Sequence, residues 1–474
     1  MIVAVALDLG TTTIKAGLLA GDGTLSAVTA LPAPVITGDD GRYESDADAY
    51  AATVDAVLSK CVAQIEVCPG GAQPSGVGAG ASHSLPPLGL CSQRSSFLLW
   101  DRAIGKPVTP LISWQDDRGA ESCIALHEHQ DKIRGLSGLP LTPYYLAPKL
   151  RVVLRENPAW RANLLSGKWL AGTLDTYLIW RWTGGAQHVT DVSMAARTLL
   201  MDADARQWSP ELCELFEVPQ KILPQIKPSC GMNLQMWNGL TLRASVGDQS
   251  AALVASIVAD QPEALVNLGT GGFVACYLPQ GRSVPEGYLQ TLVWQDGAGQ
   301  AHLAAEGTLN SIGAALAPYP VRESNVDDLA GDAIFCLAEP SGLGAPYFRS
   351  DLGLVFSEPV EHLPARRIAL LLQEAVVFRV ARILEDFQRE FGIERVCLSG
   401  GLSNLPCLQQ GIAQCGTFAV YRLLQPDAGL IGAGQLAANS ALSGIKNVEK
   451  INVTRRLPRI HEKFLRWKDW LDGL

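Results

Sequence analysis

The sequence predicts an α/β protein of two domains, and three observations carry that prediction. Two strand–turn–strand hairpins of one type, LDLGTTTIKAGLL from Leu7 and VNLGTGGFVACYL from Val266, stand roughly half a chain apart. Strand and helix signals alternate around each of them. No repeat of about 20–50 residues recurs, which excludes a solenoid. Two related domains, 1–243 and 244–474, facing each other across a cleft, are the expected architecture.

The elements follow in order. MIVAVALDLG is a β-rich run, and TIKAGLLA follows it after a polar turn. ADAYAATVDAVLSKCVAQI carries apolar residues at helical spacing. VGAGAS and LGLCSQRSSFLLWD are short apolar runs around small residues. The stretch from Gly119 to Gly239 is rich in Trp and Leu and reads as largely helical, punctuated by Pro143, Pro148, Pro158 and Pro224. LRASVGDQS and the second hairpin resume the strand–turn pattern. IALLLQEAVVFRVARILEDF reads as one long amphipathic helix. VCLSGGLSN reads as strand, glycine turn and helix.

Composition narrows the function. The 474 residues are 47% hydrophobic and 18% charged, as for a globular enzyme with large cores. A net charge of −9 disfavours nucleic acid and anionic lipid as partners. A phosphate ligand stays compatible, because backbone amides hold one locally. MIVAVAL lacks a basic flank and runs straight into Asp8, so no signal peptide is expected. No apolar run reaches the length of a membrane span. The 11 cysteines are scattered without a C-x-x-C pair, which points to free thiols filling cores in a reducing cytoplasm. Cys and His lack metal-ligand spacing, and no G-x-S-x-G elbow appears.

Three turns suit a phosphate. In Asp8-Leu9-Gly10-Thr11-Thr12-Thr13, Gly10 permits a tight turn and close ligand approach, while the threonines add hydroxyls to the turn amides. Asp8 is suited to hold Mg²⁺ through water, and Lys15 adds a positive charge. Gly269-Thr270-Gly271-Gly272 is the second turn, and Gly400-Gly401, after the strand VCLS, is the third. An ordinary hairpin with a polar tip is the plain alternative for the first two. Asp248, in Gly247-Asp248-Gln249, is the candidate general base, taking a proton from a hydroxyl that attacks phosphorus. The same residue is also suited to cap the helix QSAALVASIVA. His83 reads as a structural loop residue.

With these motifs in order, the chain resembles the FGGY family of carbohydrate kinases over nearly its whole length. The resemblance rests on the opening hairpin, on GLCSQRSSFLLWDRAIGKPVTPLISWQDDR and GTLDTYLIWRWTGGAQHVTDVSMAARTLL, and on ASVGDQSAAL, LGTGG, SGLGAPY and SGG. It implies a pair of actin-like, ribonuclease H-like domains closing around ATP, with one hairpin from each domain against the phosphates. It makes Asp248 the base and a metal-side carboxylate with Asp8. Gln93, Arg94, Trp114, Tyr144 and Gln249 become acceptor-binding residues, with Tyr145 leaving the register of Tyr144 open. Thr12, Thr270, Gly313 and Gly401 fall on the nucleotide side. The implied cofactors are ATP and Mg²⁺, the partner is a small polyol or sugar, and a homodimer is left open.

Three departures qualify the resemblance. Ser95 stands where the glycerol-specific members have a glutamate that accepts substrate hydroxyls, while Arg94-Ser95 does not match the Met-His of the ketose-specific ones. SGG replaces D-G-G, and Leu405 and Ala317 replace an asparagine and a glutamine near the adenine. LGLVFSEPV lacks the usual glycine-leucine-threonine ending. Glycerol is the leading expected substrate, and xylulose, ribulose or sedoheptulose the competitors. A nucleotide-binding sensor without catalysis is the alternative of another class.

Overall fold

The computed structural model describes residues 1–65, 85–236, 238–424, 427–439, 447–453 and 456–474. VGAGAS and His83 lie outside them. The chain forms two compact units. The first holds Met1–Ala255, Leu292–His302 and Asp427–Leu442, and the second holds Ser256–Thr291, Leu303–Pro426 and Ser443–Leu474.

The first unit is built on a six-stranded sheet in the order Cys230–Gln235, Thr241–Gly247, Leu88–Ser92, Ile2–Leu9, Thr13–Ala20, Leu25–Pro32. The middle three strands that meet through Leu88–Ser92 run parallel. The others join antiparallel. Parallel strands are covered on both faces, so Leu88–Ser92 is buried throughout and reads as one apolar run. The edge strand Leu25–Pro32 instead alternates strictly between partly covered and exposed positions. The helix Ala428–Ala438 packs on this sheet from the far end of the chain. It approaches so closely that a Cβ on Gly89 would fall 2.0 Å from the Ala433 carbonyl oxygen. A second, five-stranded sheet, Thr37–Asp39, Arg42–Ser45, Leu111–Ile112, Phe97–Asp101 and Trp169–Thr173, is antiparallel throughout.

The stretch 119–239 is more mixed than its sequence suggests. It holds the helices Leu146–Glu156, Pro158–Leu165 and Leu174–Trp182, but also the strands Trp169–Thr173, Val189–Asp191, Gln225–Lys227 and Cys230–Gln235. Strands of three to six residues carry too few alternations to register against a Leu- and Trp-rich background.

The second unit repeats the strand plan. Six neighbouring strands of its sheet run Val448–Lys450, Ala419–Leu423, Arg395–Ser399, Glu263–Leu268, Gly272–Tyr277, Ala301–Leu309. Here too three parallel strands sit centrally with antiparallel neighbours outside. The helix Ala365–Phe391 buries its apolar residues in this unit's core and ends at Gly392 in the left-handed region. Among the described residues, no helix is long and apolar enough to cross a membrane.

Candidate active site

In sheets with parallel central strands, ligands bind beyond the carboxyl ends of those strands. In the first unit Leu9, Ser92 and Gly247 end the three strands at one level, since Leu9 and Gly247 both pair with Ser92. The residues that follow or immediately precede these ends are Asp8, Thr11, Gln93, Arg94, Asp248 and Gln249. The topology thus brings the sequence-predicted set to one edge.

Asp248 opens the helix Asp248–Ser256, and its Oδ1 accepts the Gln249 amide at 2.7 Å. Its side chain stays 40% exposed, so it is open to a ligand. The protein around it raises its pKa by loss of hydration, against the Arg94 guanidinium, which lowers it. Arg94 is buried, not a surface ion pair. Its Nε lies 3.6 Å from Asp248 Oδ1, and its Nη2 donates to Gln249 Oε1. Asp8 is pushed up to about 6, first by burial and then by the charge of Asp248. The Cys91 thiol lies 3.4 Å from Asp8 Oδ1. Lys15 Nζ meets Asp427 Oδ1 at 2.8 Å, at the start of the helix Ala428–Ala438.

Gln93 organises the opening turn. Its Oε1 accepts from Thr11 Oγ1 at 3.2 Å and Ser96 Oγ at 3.0 Å, and its Nε2 donates to the Tyr50 hydroxyl at 3.3 Å. Tyr50 in turn donates to the Gly10 carbonyl at 2.8 Å. Trp114 Nε1 donates to Thr11 Oγ1 at 3.0 Å, and its amide to Ser96 Oγ at 3.0 Å. The indole is therefore tied to the phosphate-type turn and only partly buried. Tyr144 packs against it with ring centroids 5.6 Å apart, while Tyr145 is buried. Of the two, Tyr144 is the more accessible ring. Thr12 is exposed and Thr13 begins the second strand.

Ser95 turns away from this edge. It is fully buried at φ 63° and donates to the Arg197 carbonyl at 2.9 Å.

In the second unit, Gly269 N bonds Gly271 O at 2.8 Å and Gly313 N bonds Thr270 O at 2.9 Å, which closes the glycine turn. Gly400 sits at φ 87°, and a Cβ there would fall 2.3 Å from the Leu268 carbonyl oxygen, so only glycine fits. Gly401 is exposed, with open space where a Cβ would stand. Leu405 is buried in the core, and its neighbour Asn404 is exposed.

The sequence did not reveal several supporting residues. Asp191, fully buried, accepts from Ser193 N and Oγ and from Met194 N, each at 2.9 Å, and from Ser229 Oγ at 2.6 Å. Burial pushes its carboxyl up to about 7. Ser193 Oγ accepts the Gly247 amide at 2.9 Å, which fixes the turn just before Asp248. Tyr50 and Asp427 were equally silent. For Lys149 alone a local signal existed: a lysine in the first turn of a helix, where the dipole disfavours a cation.

Comparison with known proteins gives the family and the fold. The model of the FGGY family of carbohydrate kinases, N-terminal domain, matches residues 3–266, and that of the C-terminal domain matches residues 264–441. The chain is 30% identical to glycerol kinase 2 of Streptomyces avermitilis over 91% of its own length and 87% of that protein. Among solved structures it is similar to Plasmodium falciparum glycerol kinase with ADP, at TM-score 0.83 and 20% identity, covering 99% and 97% of the two chains. A xylulose kinase from Lactobacillus acidophilus is similar at TM-score 0.79 and 17% identity, covering 99% and 98%.

Proposed function

The chain belongs to the FGGY family of carbohydrate kinases, and from that premise we propose that it phosphorylates a primary hydroxyl of a small polyol, glycerol first. ATP is the phosphoryl donor that the family implies. The observation that carries the acceptor reading is the meeting of Asp248, Arg94, Trp114 and Asp8 at one sheet edge of the first unit. Asp248 takes the hydroxyl proton as that oxygen attacks phosphorus. Its raised pKa makes it a stronger base than a free carboxylate, and Arg94 fixes its orientation. The indole of Trp114 covers C–H groups while polar side chains take hydroxyls. In the second unit the Gly269–Gly272 and Gly400–Gly401 turns offer amides to the nucleotide phosphates.

The residues fit Mg²⁺. Asp248 raises the pKa of Asp8, a crowding of negative charge that a cation relieves. Among the described residues no group of three or more His, Cys, Asp or Glu could hold a metal. Few protein ligands suit an ion that keeps waters and phosphate oxygens. Bound there, Mg²⁺ would neutralise charge on the phosphates. Free thiols at the described cysteines suit a cytoplasmic enzyme.

A ketose such as xylulose, ribulose or sedoheptulose is the second reading, and Ser95 favours it. Ser95 is buried and bonded inward, so its position presents no acceptor to a substrate hydroxyl. A ketone oxygen needs only a donor, and Arg94 is one.

The test is ADP release with ATP and Mg²⁺ against glycerol, erythritol, xylulose, ribulose and sedoheptulose, for the native chain and Asp248→Asn. Turnover on glycerol is expected, with kcat about 10²- to 10⁴-fold lower in the variant. Preference for a ketose would shift the assignment to the second reading. Full activity in the variant would remove Asp248 from its role.

A further inference from the structure

We propose that Lys149 is a positioning residue for the acceptor, its ammonium setting the placement of the two rings, Trp114 and Tyr144, that wall the acceptor pocket. This rests on the reading of Trp114 and Tyr144 as acceptor-side residues. Lys149 is fully buried in the first turn of the helix Leu146–Glu156. Its Nζ donates to Ser113 O at 3.0 Å, Trp114 O at 3.3 Å and Tyr144 O at 3.0 Å. One ammonium thus joins the backbone of both aromatic residues, which come from segments about 30 residues apart in the chain. A buried charge beside the positive end of a helix is costly, and it persists where its donors are all taken. A residue needed only to fill space here would be apolar.

The charge state of Lys149 adds a handle. Burial pushes its pKa down to about 7, with Asp116 pulling it up and Arg118 pushing it down. The Asp116 carboxylate is held by Arg118 Nε at 2.7 Å and by the Tyr43 amide at 2.8 Å, and Arg118 also pairs with Glu44. On the same helix Arg151 is engaged by Ser122 and Glu217. The helix Ala120–Ala125 packed beside it contributes Glu121 and Cys123 as its titratable groups. A neutral amine has two protons for three carbonyls, so one carbonyl is released as pH rises through about 7.

The experiment measures KM for the acceptor, KM for ATP and kcat from pH 6 to 9, with glycerol and xylulose as probes, for the native chain, Lys149→Gln and Lys149→Arg. In the native chain acceptor KM is expected to rise above neutral pH while KM for ATP stays level. In Lys149→Gln acceptor KM is raised roughly tenfold at every pH, the scale of one charge-assisted hydrogen bond, and its pH dependence is gone. Lys149→Arg, always charged, restores the low acceptor KM that the native chain has below neutral pH and holds it at every pH. Hydrogen exchange of the segments 111–118 and 140–146 accompanies the kinetics and needs no substrate. It is expected to quicken in Lys149→Gln against an unchanged second unit. No turnover by the native chain would overturn the kinase substrate reading while exchange still decided the role of Lys149. An unaltered acceptor KM profile, or unaltered exchange in both segments, would overturn the positioning role.

Discussion

In the first unit the strand Ile2–Leu9 carries Asp8 next to its carboxyl end. In the second unit the strand in the same place, Glu263–Leu268, carries Asn267 there. The neighbours correspond as well. Asp8 pairs with Cys91 on the adjacent parallel strand and is bonded by its thiol, while Asn267 pairs with Ser399 and donates to its hydroxyl at 2.9 Å. Across the hairpin, Asp8 faces Lys15 and Asn267 faces Phe273. One strand plan thus ends in ionised groups in one unit and in neutral amides, hydroxyls and glycines in the other. Strand order decides where a side chain is delivered, and residue type decides the chemistry done there. A carboxylate suits a cation and a proton, whereas a polyanionic nucleotide is better met by uncharged donors.

The sharpest way to break the contrast is Asp8→Asn, which gives the first unit the second unit's residue. We expect kcat/KM to fall roughly a hundredfold, the scale of one charged group lost at a transition state. The pH dependence has a definite sign. Asp8, raised to about 6, takes a proton below that pH, so native kcat/KM falls as pH drops through 6. Mg²⁺ held by Asp8, as proposed, would favour the ionised form, so more Mg²⁺ is expected to move this limb to lower pH, and in Asp8→Asn the Mg²⁺-sensitive part is expected to disappear. A limb that ignores Mg²⁺ would separate Asp8 from the metal.

Asn267→Asp runs the exchange in the other direction. An added carboxylate beside the glycine turn should raise KM for ATP several-fold, by like-charge repulsion, and leave acceptor KM unchanged. Equal effects on both constants would mean that the second unit's neutrality is not specific to the nucleotide. The smallest effect is expected from Asp427→Asn, which releases Lys15. The pair is part-exposed, at 32% and 16% of the side chains, so KM for ATP should fall only about twofold. A rise instead would make Asp427 a brace that Lys15 requires.

Much of this was legible beforehand. Both hairpins could be read because alternating strands flank a glycine-threonine turn, and the long helix because its period persists through IALLLQEAVVFRVARILEDF, now within Ala365–Phe391. The Asp248 turn was visible as a carboxylate directly after a strand. What stayed hidden depends on contacts between distant residues. Nothing near Ser193 announces a bond to Gly247, 54 residues later, and nothing near Lys149 announces the Ser113 carbonyl, 36 residues earlier. Ser95 was read as standing in place of a glutamate that accepts substrate hydroxyls, and local sequence gave no sign of its left-handed backbone or its inward bond. The helix Ala428–Ala438 was not singled out from the sequence, and only packing assigns it to the sheet that Ile2–Leu9 belongs to.

That assignment bears on how the protein is made. The strands Ile2–Leu9 and Leu88–Ser92 are translated long before the helix that covers them, Ala428–Ala438. A nascent chain halted before residue 428 holds those strands with one apolar face unclosed. Such a chain is a natural client for a chaperone, and a stop codon there would leave an insoluble product rather than a weak enzyme.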